Sequence, residues 1–87
     1  MADFVECFEK MRFKVQSRGT FGNYIVKVVN PTCFKLQFEG NESIKVIGKP
    51  QTLQLIIEAP GFTFYPDSLK ACESFLLSVT FQKTKTL

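Results

Sequence analysis

The residues able to do chemistry in this chain are few and poorly spaced for it. Nucleophilic catalysis by Ser or Cys needs a base within hydrogen-bond reach, most often His. The chain has no His, so neither a Ser–His nor a Cys–His pair can form. Two pairs of carboxylates stand close in sequence, Glu6 with Glu9 and Glu39 with Glu42. General acid–base work by such a pair needs burial to drive the two pKa values apart, and both pairs fall in turn-like or exposed contexts. The cysteines, Cys7, Cys33 and Cys72, are odd in number and widely spaced. They make no Cys-x-x-Cys metal pattern and no closed disulfide framework, so each reads as a small buried apolar residue. "GTFGN", residues 19–23, has glycines but neither the Gly-Lys-Ser/Thr ending nor the following helix of a phosphate loop. No set of catalytic roles can be filled. The chain therefore reads as not an enzyme, with no cofactor, no metal and no nucleotide.

Binding chemistry leaves more to weigh. The net charge is +3, with Lys10, Arg12 and Lys14 alternating in one run and Lys83 and Lys85 near the end. This bias is weaker than the clustered footprint of a nucleic-acid binder. Small β domains that bind single strands set exposed aromatics beside basic residues. Here "RFK" at 12–14 and Phe34-Lys35 place ring and charge on opposite faces by period two, which disfavours nucleic acid. A protein partner remains. The outward row Lys35, Gln37 and Glu39 is the candidate partner-binding face, and an uncovered strand edge is another.

The elements that must position these residues follow from length and periodicity. Eighty-seven residues suit a single domain over 1–87. Ten Phe and no Trp supply its core. No apolar run approaches the roughly 18 residues of a membrane span. "MADFVECFEKMRFK" carries acids early and lacks an apolar h-region, so with its odd, unpaired cysteines the chain is expected in a reducing cytoplasm.

The hydrophobic period is two almost throughout. "MRFKVQ" reads as a strand with Met11, Phe13 and Val15 inward, and "NYIVKVVN" as a central strand because it is apolar on both faces except at Lys27. "CFKLQFE" turns Phe34, Leu36 and Phe38 inward, and "SIKVIG" carries Ile44 and Val46. "TLQLIIEA" puts Leu53, Leu55 and Ile57 on one face, and "SFLLSVTFQ" puts Phe75, Leu77, Val79 and Phe81 on the core. Gly19 and Gly22, "GNE" at 40–42 and "GKPQ" mark turns, and "KTKTL" is a polar tail. "DSLKACE" is the one candidate helix, with Asp67 or Ser68 as its cap, but at about two turns at most it reads better as a turn or short 3₁₀ piece. Residues 2–8 fit either a helical Phe4/Phe8 pair or a strand, and are read as an irregular or short edge segment that lays its Phe residues on the core. Six or seven short antiparallel strands predict an all-β sandwich or barrel. Asn30-Pro31-Thr32 is not a tight hairpin dipeptide, and Pro31 offers no N–H. The break is therefore read as a crossing from one sheet to another.

The order of three segments resembles the major sperm protein (MSP) domain family. "MRFKVQSRGTFGNYIVKVVNPTCFKLQF" is similar to that family's opening, with Asn30-Pro31-Thr32 and Phe34-Lys35-Leu36 as the matched pieces. "FTFYPDSLKACESFLLSVTF" is similar to its aromatic-Pro stretch and last strand. The middle segment is short, as "SIKVIGKPQ", which makes this a shortened member. The resemblance implies an immunoglobulin-like, seven-stranded (or six-stranded) antiparallel β-sandwich of the MSP/PapD-like type. It also implies a cytoskeletal or filament-associated role in nematode sperm, with itself or MSP-type filaments as partner. A VAP-like receptor domain for acidic peptides is the alternative. Of the cations that receptors of that kind use, Lys35 alone is kept; Gln37, Phe38, Glu39, Ser74 and Leu76 stand at the other positions.

Overall fold

The computed structural model describes residues 3–19, 24–39 and 42–84, with the side chains of residues 19 and 81–84 outside the description. Expectations at Gly22, at residues 40–41, for the Phe81 side chain and for the tail at 85–87 lie outside those residues. The elements run α1 (Phe4–Gly19), β1 (Tyr24–Asn30), β2 (Cys33–Phe38), β3 (Ser43–Lys49), β4 (Gln54–Ala59), β5 (Phe62–Phe64) and α2 (Leu69–Thr84). The strands make one antiparallel sheet in sequence order, β1-β2-β3-β4-β5. The second layer is made of helices, where a sandwich would have a second sheet.

Both helices replace expected strands, and the reason is visible in their buried positions. Along α1, Phe8, Met11 and Val15 are buried and Phe4 packs against them. That is a spacing of 4, 3 and 4, a helical stripe. The Met11-Phe13-Val15 alternation ran across it, and Phe13 instead lies exposed with the Arg12 guanidinium 4.6 Å from its ring centre. Along α2 the buried residues are Cys72, Leu76 and Thr80, a strict four-residue step, with Leu69, Phe75, Leu77 and Val79 packed beside them. The Phe75-Leu77-Val79 alternation exists because α2 is apolar on much of its circumference. Ser68 caps this helix: its Oγ accepts the Ala71 N–H at 3.1 Å, a bond to the third helical residue. The segment expected to be a turn or short 3₁₀ piece begins a helix of 16 residues.

Asn30-Pro31-Thr32 is a hairpin turn, not a sheet crossing. β1 and β2 pair antiparallel through it, with Asn30 opposite Cys33 and a register shift between Val28 and Asn30. The Asn30 side-chain oxygen accepts the Thr32 N–H at 2.9 Å, so an Asx turn supplies what an Asn-Gly dipeptide would have supplied. The shift absorbs the misfit of Pro31 with the ladder. β1, expected at the centre of a sheet, is its edge.

The core lies between the sheet and the helices. Phe34, Leu36 and Phe38, with Ile44, Val46, Leu55, Ile57 and Tyr24, turn to the helices. Phe8 meets Phe34 edge-on at 5.5 Å between ring centres, and Phe75 meets Phe64 at 5.0 Å. Gly48 lets α1 sit close: a Cβ built there falls 2.9 Å from the Phe8 ring and 3.0 Å from that of Phe4. The Tyr24 hydroxyl donates to the Val15 carbonyl at 2.7 Å and shares a hydrogen bond with buried Thr80. One side chain thereby ties the sheet to both helices. Lys14 and Glu73 form an ion pair between the helices at 3.3 Å.

Leu53, expected on the inward face, sits exposed in the β3–β4 turn at φ 57°. A left-handed conformation costs a non-glycine residue about 1–2 kcal/mol, and Leu53 recovers little of it by burial. Leu53→Gly is expected to raise the urea midpoint, with a gain of about 0.5–1 kcal/mol after the entropy cost of glycine.

Candidate functional site

Alternation along each strand sends half of its side chains away from the helices. The register then sets which of these stand together. Lys27 is opposite Lys35, Lys35 is opposite Lys45, and Lys45 is opposite Glu58. Three lysines therefore lie in line across β1, β2 and β3 on the helix-free face, followed by one carboxylate on β4. Directly opposed residues have Cβ atoms about 4.5–5.5 Å apart, and like charges there are destabilising. Lys35 and Lys45 are half-buried, so water screens them less than it screens Lys27. None of the three makes an ion pair with a described carboxylate.

Two further rows flank the lysines. On one side Cys33 faces Ile47, and Ile47 faces Ile56, an apolar band in which Cys33 is buried and the isoleucines half-buried. On the other side Ile25 faces Gln37, and Gln37 faces Ser43. Of the expected partner-binding residues, Lys35 and Gln37 fall on this face, in the second strand of the sheet. Glu39 lies exposed in the turn just past β2. Lys27, Lys45, Ile47 and Ile56 were not joined to them from the sequence. Period two already pointed these residues outward, but only the register aligns them.

No family model, no characterised protein and no solved structure matches this chain. The site therefore stands on its own geometry.

Among the described residues no set of three His, Cys, Asp or Glu could hold a metal, and no helix is long and apolar enough to cross a membrane. All three cysteines are free thiols. Burial pushes the Cys72 thiol up to about 12, with Glu73 adding to the shift, which makes it a poor nucleophile. Burial also raises the Tyr24 phenol, against the opposing pull of Thr80 and Arg18. A cavity of about 180 Å³ opens between the sheet and α2, walled by Phe38, Ile44, Phe62, Phe75 and Val79 with Glu42 at its rim. Glu42 is the one charged group among the described residues that line it.

These shifts set an alkaline limit on the fold. A thiol whose folded-state pKa is raised holds its proton more tightly in the folded chain than in the unfolded one. The stability it supports is complete below pH 9 and falls as pH rises from 9 toward 12. At about 1.4 kcal/mol per unit, the chain is expected to be about 2 kcal/mol less stable at pH 10.5 than at pH 8. Urea titrations at the two pH values test this. Cys72→Ala should flatten the slope, and the residual fall above pH 10 belongs to Tyr24.

Proposed function

We propose that this chain is a non-enzymatic protein-association module that takes an acidic partner on the helix-free face of its sheet. The observation that carries the reading is the Lys27–Lys35–Lys45 row. Its lysines repel one another in the free chain. An anionic partner turns that repulsion into attraction and speeds encounter, while the Cys33–Ile47–Ile56 band beside it offers apolar contact.

A VAP-like receptor for acidic peptides is the second reading, and the same row favours it. Lys27 and Lys45 bring to Lys35 from neighbouring strands the cations that are missing along β2 itself. The MSP-type reading, a cytoplasmic filament-associated protein of nematode sperm, rests on Asn30-Pro31-Thr32 and Phe34-Lys35-Leu36. These are the matched pieces that lie in the β1–β2 hairpin; the outer segments of the resemblance fall in α1 and α2. A stacking-based nucleic-acid binder is the weakest reading. Against expectation Phe13 stands exposed with Arg12 over its ring, but it lies on α1, apart from the lysine row on the helix-free face. Phe34 and Phe38 are buried beneath the helices, and no strand position of the open face is aromatic.

Anisotropy titrations with labelled polyglutamate, polylysine and a single-stranded oligonucleotide of matched length test this. Polyglutamate should bind, weaken steeply with salt, and lose at least tenfold in affinity when Lys35 and Lys45 become Gln. Polyglutamate binding that ignores both substitutions, or an oligonucleotide bound more tightly than polyglutamate, would overturn the reading.

A further inference from the structure

β1 is the edge of the sheet and pairs on one side only, with β2. The direction of its free backbone groups follows from the ladder. The Phe38 N–H donates to the Glu42 carbonyl at 2.8 Å, and the Gly48 N–H donates to the Thr32 carbonyl at 2.7 Å. Even-numbered residues of β2 therefore direct their backbone groups toward β3. In an antiparallel pair these directions alternate. The β1 residues opposite them, Tyr24, Val26 and Val28, must direct N–H and C=O away from β2, to the open edge. Apolar side chains are uncovered on both faces of this edge, although Tyr24 is buried and Val26 half-buried: Val28 on the helix side is 51% exposed, and Ile25 and Val29 on the other side are 59% and 56% exposed. A seven-residue strand with exposed Ile25, Val28 and Val29 and backbone groups directed to an open edge is a template for another strand.

We propose that β1 is a strand-addition site for an extended segment of another polypeptide carrying a carboxylate opposite Lys27 and apolar residues on either side of it. Charge selects this occupant. A strand laid on β1 places one residue directly beside Lys27, in line with Lys35 and Lys45. An acid there ends the row of positive charge with its opposite. A second copy of β1, paired antiparallel about its middle residue, would set Lys27 against Lys27 and double the row of lysines. Lys27 is thus the guard against self-pairing and the selector of an acidic strand. Apolar residues next to the acid cover Val26 and Val28, and those two away cover Ile25 and Val29.

This deepens the association reading and rests on it for the charge of the partner. The probe is a labelled nine-residue peptide with Glu at its centre, Val at the two positions on each side and Thr elsewhere; a second has Lys in place of Glu. The Glu peptide should bind at least tenfold more tightly than the Lys peptide, and bound peptide should slow amide exchange at Val26 and Val28. Val28→Pro removes an outward N–H and no bond to β2, so it should cost at least tenfold in affinity while the thermal transition stays cooperative. Lys27→Glu, which removes no backbone donor, should reverse the peptide preference. If Val28→Pro leaves affinity unchanged while Lys35→Gln still weakens it, strand addition falls and the face reading survives. If the Glu and Lys peptides bind alike, charge selection falls. A native chain that dimerises in sedimentation, with Val26 and Val28 protected by its own copy, overturns the choice of occupant.

Discussion

Gly48→Ala is expected to destabilise the chain by about 1–3 kcal/mol, although the same exchange in an ordinary strand stabilises by roughly 0.5–1 kcal/mol. The sign of the effect is the test. Alanine loses less backbone entropy on folding than glycine, so an open site would reward it. Here the added Cβ falls 2.9 Å from Phe8 and 3.0 Å from Phe4, inside van der Waals contact. Phe8 is fully buried against Phe34 and has no solvent into which to swing. α1 must lift or the β3 backbone must bend. A domain of this length has about 4–13 kcal/mol of stability, so alanine should leave it folded with a lower urea midpoint, whereas leucine should unfold it. Phe8→Leu makes room and supplies the second arm. The double variant should cost clearly less than its two single changes combined. Simple additivity would mean that α1 does not press on Gly48.

Lys35→Glu is expected to move stability and binding in opposite directions. It places a glutamate between Lys27 and Lys45, and with Glu58 beyond them opposite charges then alternate across four strands. Each new cross-strand pair contributes roughly 0.2–1 kcal/mol, and two repulsive neighbours are removed. A gain of about 1 kcal/mol should appear in the urea midpoint at low salt and shrink at high salt. The same change puts a negative charge at the centre of the proposed face, so affinity for polyglutamate should fall at least tenfold. A position evolved for the fold alone would lose stability when reversed. One at which reversal strengthens the fold and removes the ligand is held for the ligand. If stability drops on reversal, Lys35 serves the sheet and the face loses its best residue.

The strands of the middle were legible because one side of each is dry. Leu36 and Phe38, Ile44 and Val46, and Leu55 and Ile57 all alternate with polar or less buried neighbours and all face the helices. The terminal elements were not, because two periods coexist in them. Phe4-Phe8-Met11-Val15 is helical and Met11-Phe13-Val15 is strand-like. The helical set is the buried one, and the strand-like pattern owes its apolar character to Phe13, a surface ring that Arg12 covers. Cys72, Leu76 and Thr80 mark the true face of α2 with a thiol and a hydroxyl, which a hydrophobic pattern overlooks. At Asn30, the deciding fact was a side-chain hydrogen bond to Thr32, chemistry that a search for Asn-Gly passes over. Lys35 and Gln37 could be assigned to the outer face from β2 alone. Joining Lys35 to Lys27 and Lys45 requires the register of two hairpins, which depends on where each turn shifts the pairing.

The order of the layers along the chain has a consequence for synthesis. All five strands precede α2, and about 20 residues separate the end of β5 from the end of that helix. Leu55, Ile57 and Phe64 are therefore made before Leu76 and Phe75, the α2 residues that share their core. The dry side of the sheet cannot close on a growing chain until α2 has been added, so the domain folds as one late unit and not strand by strand.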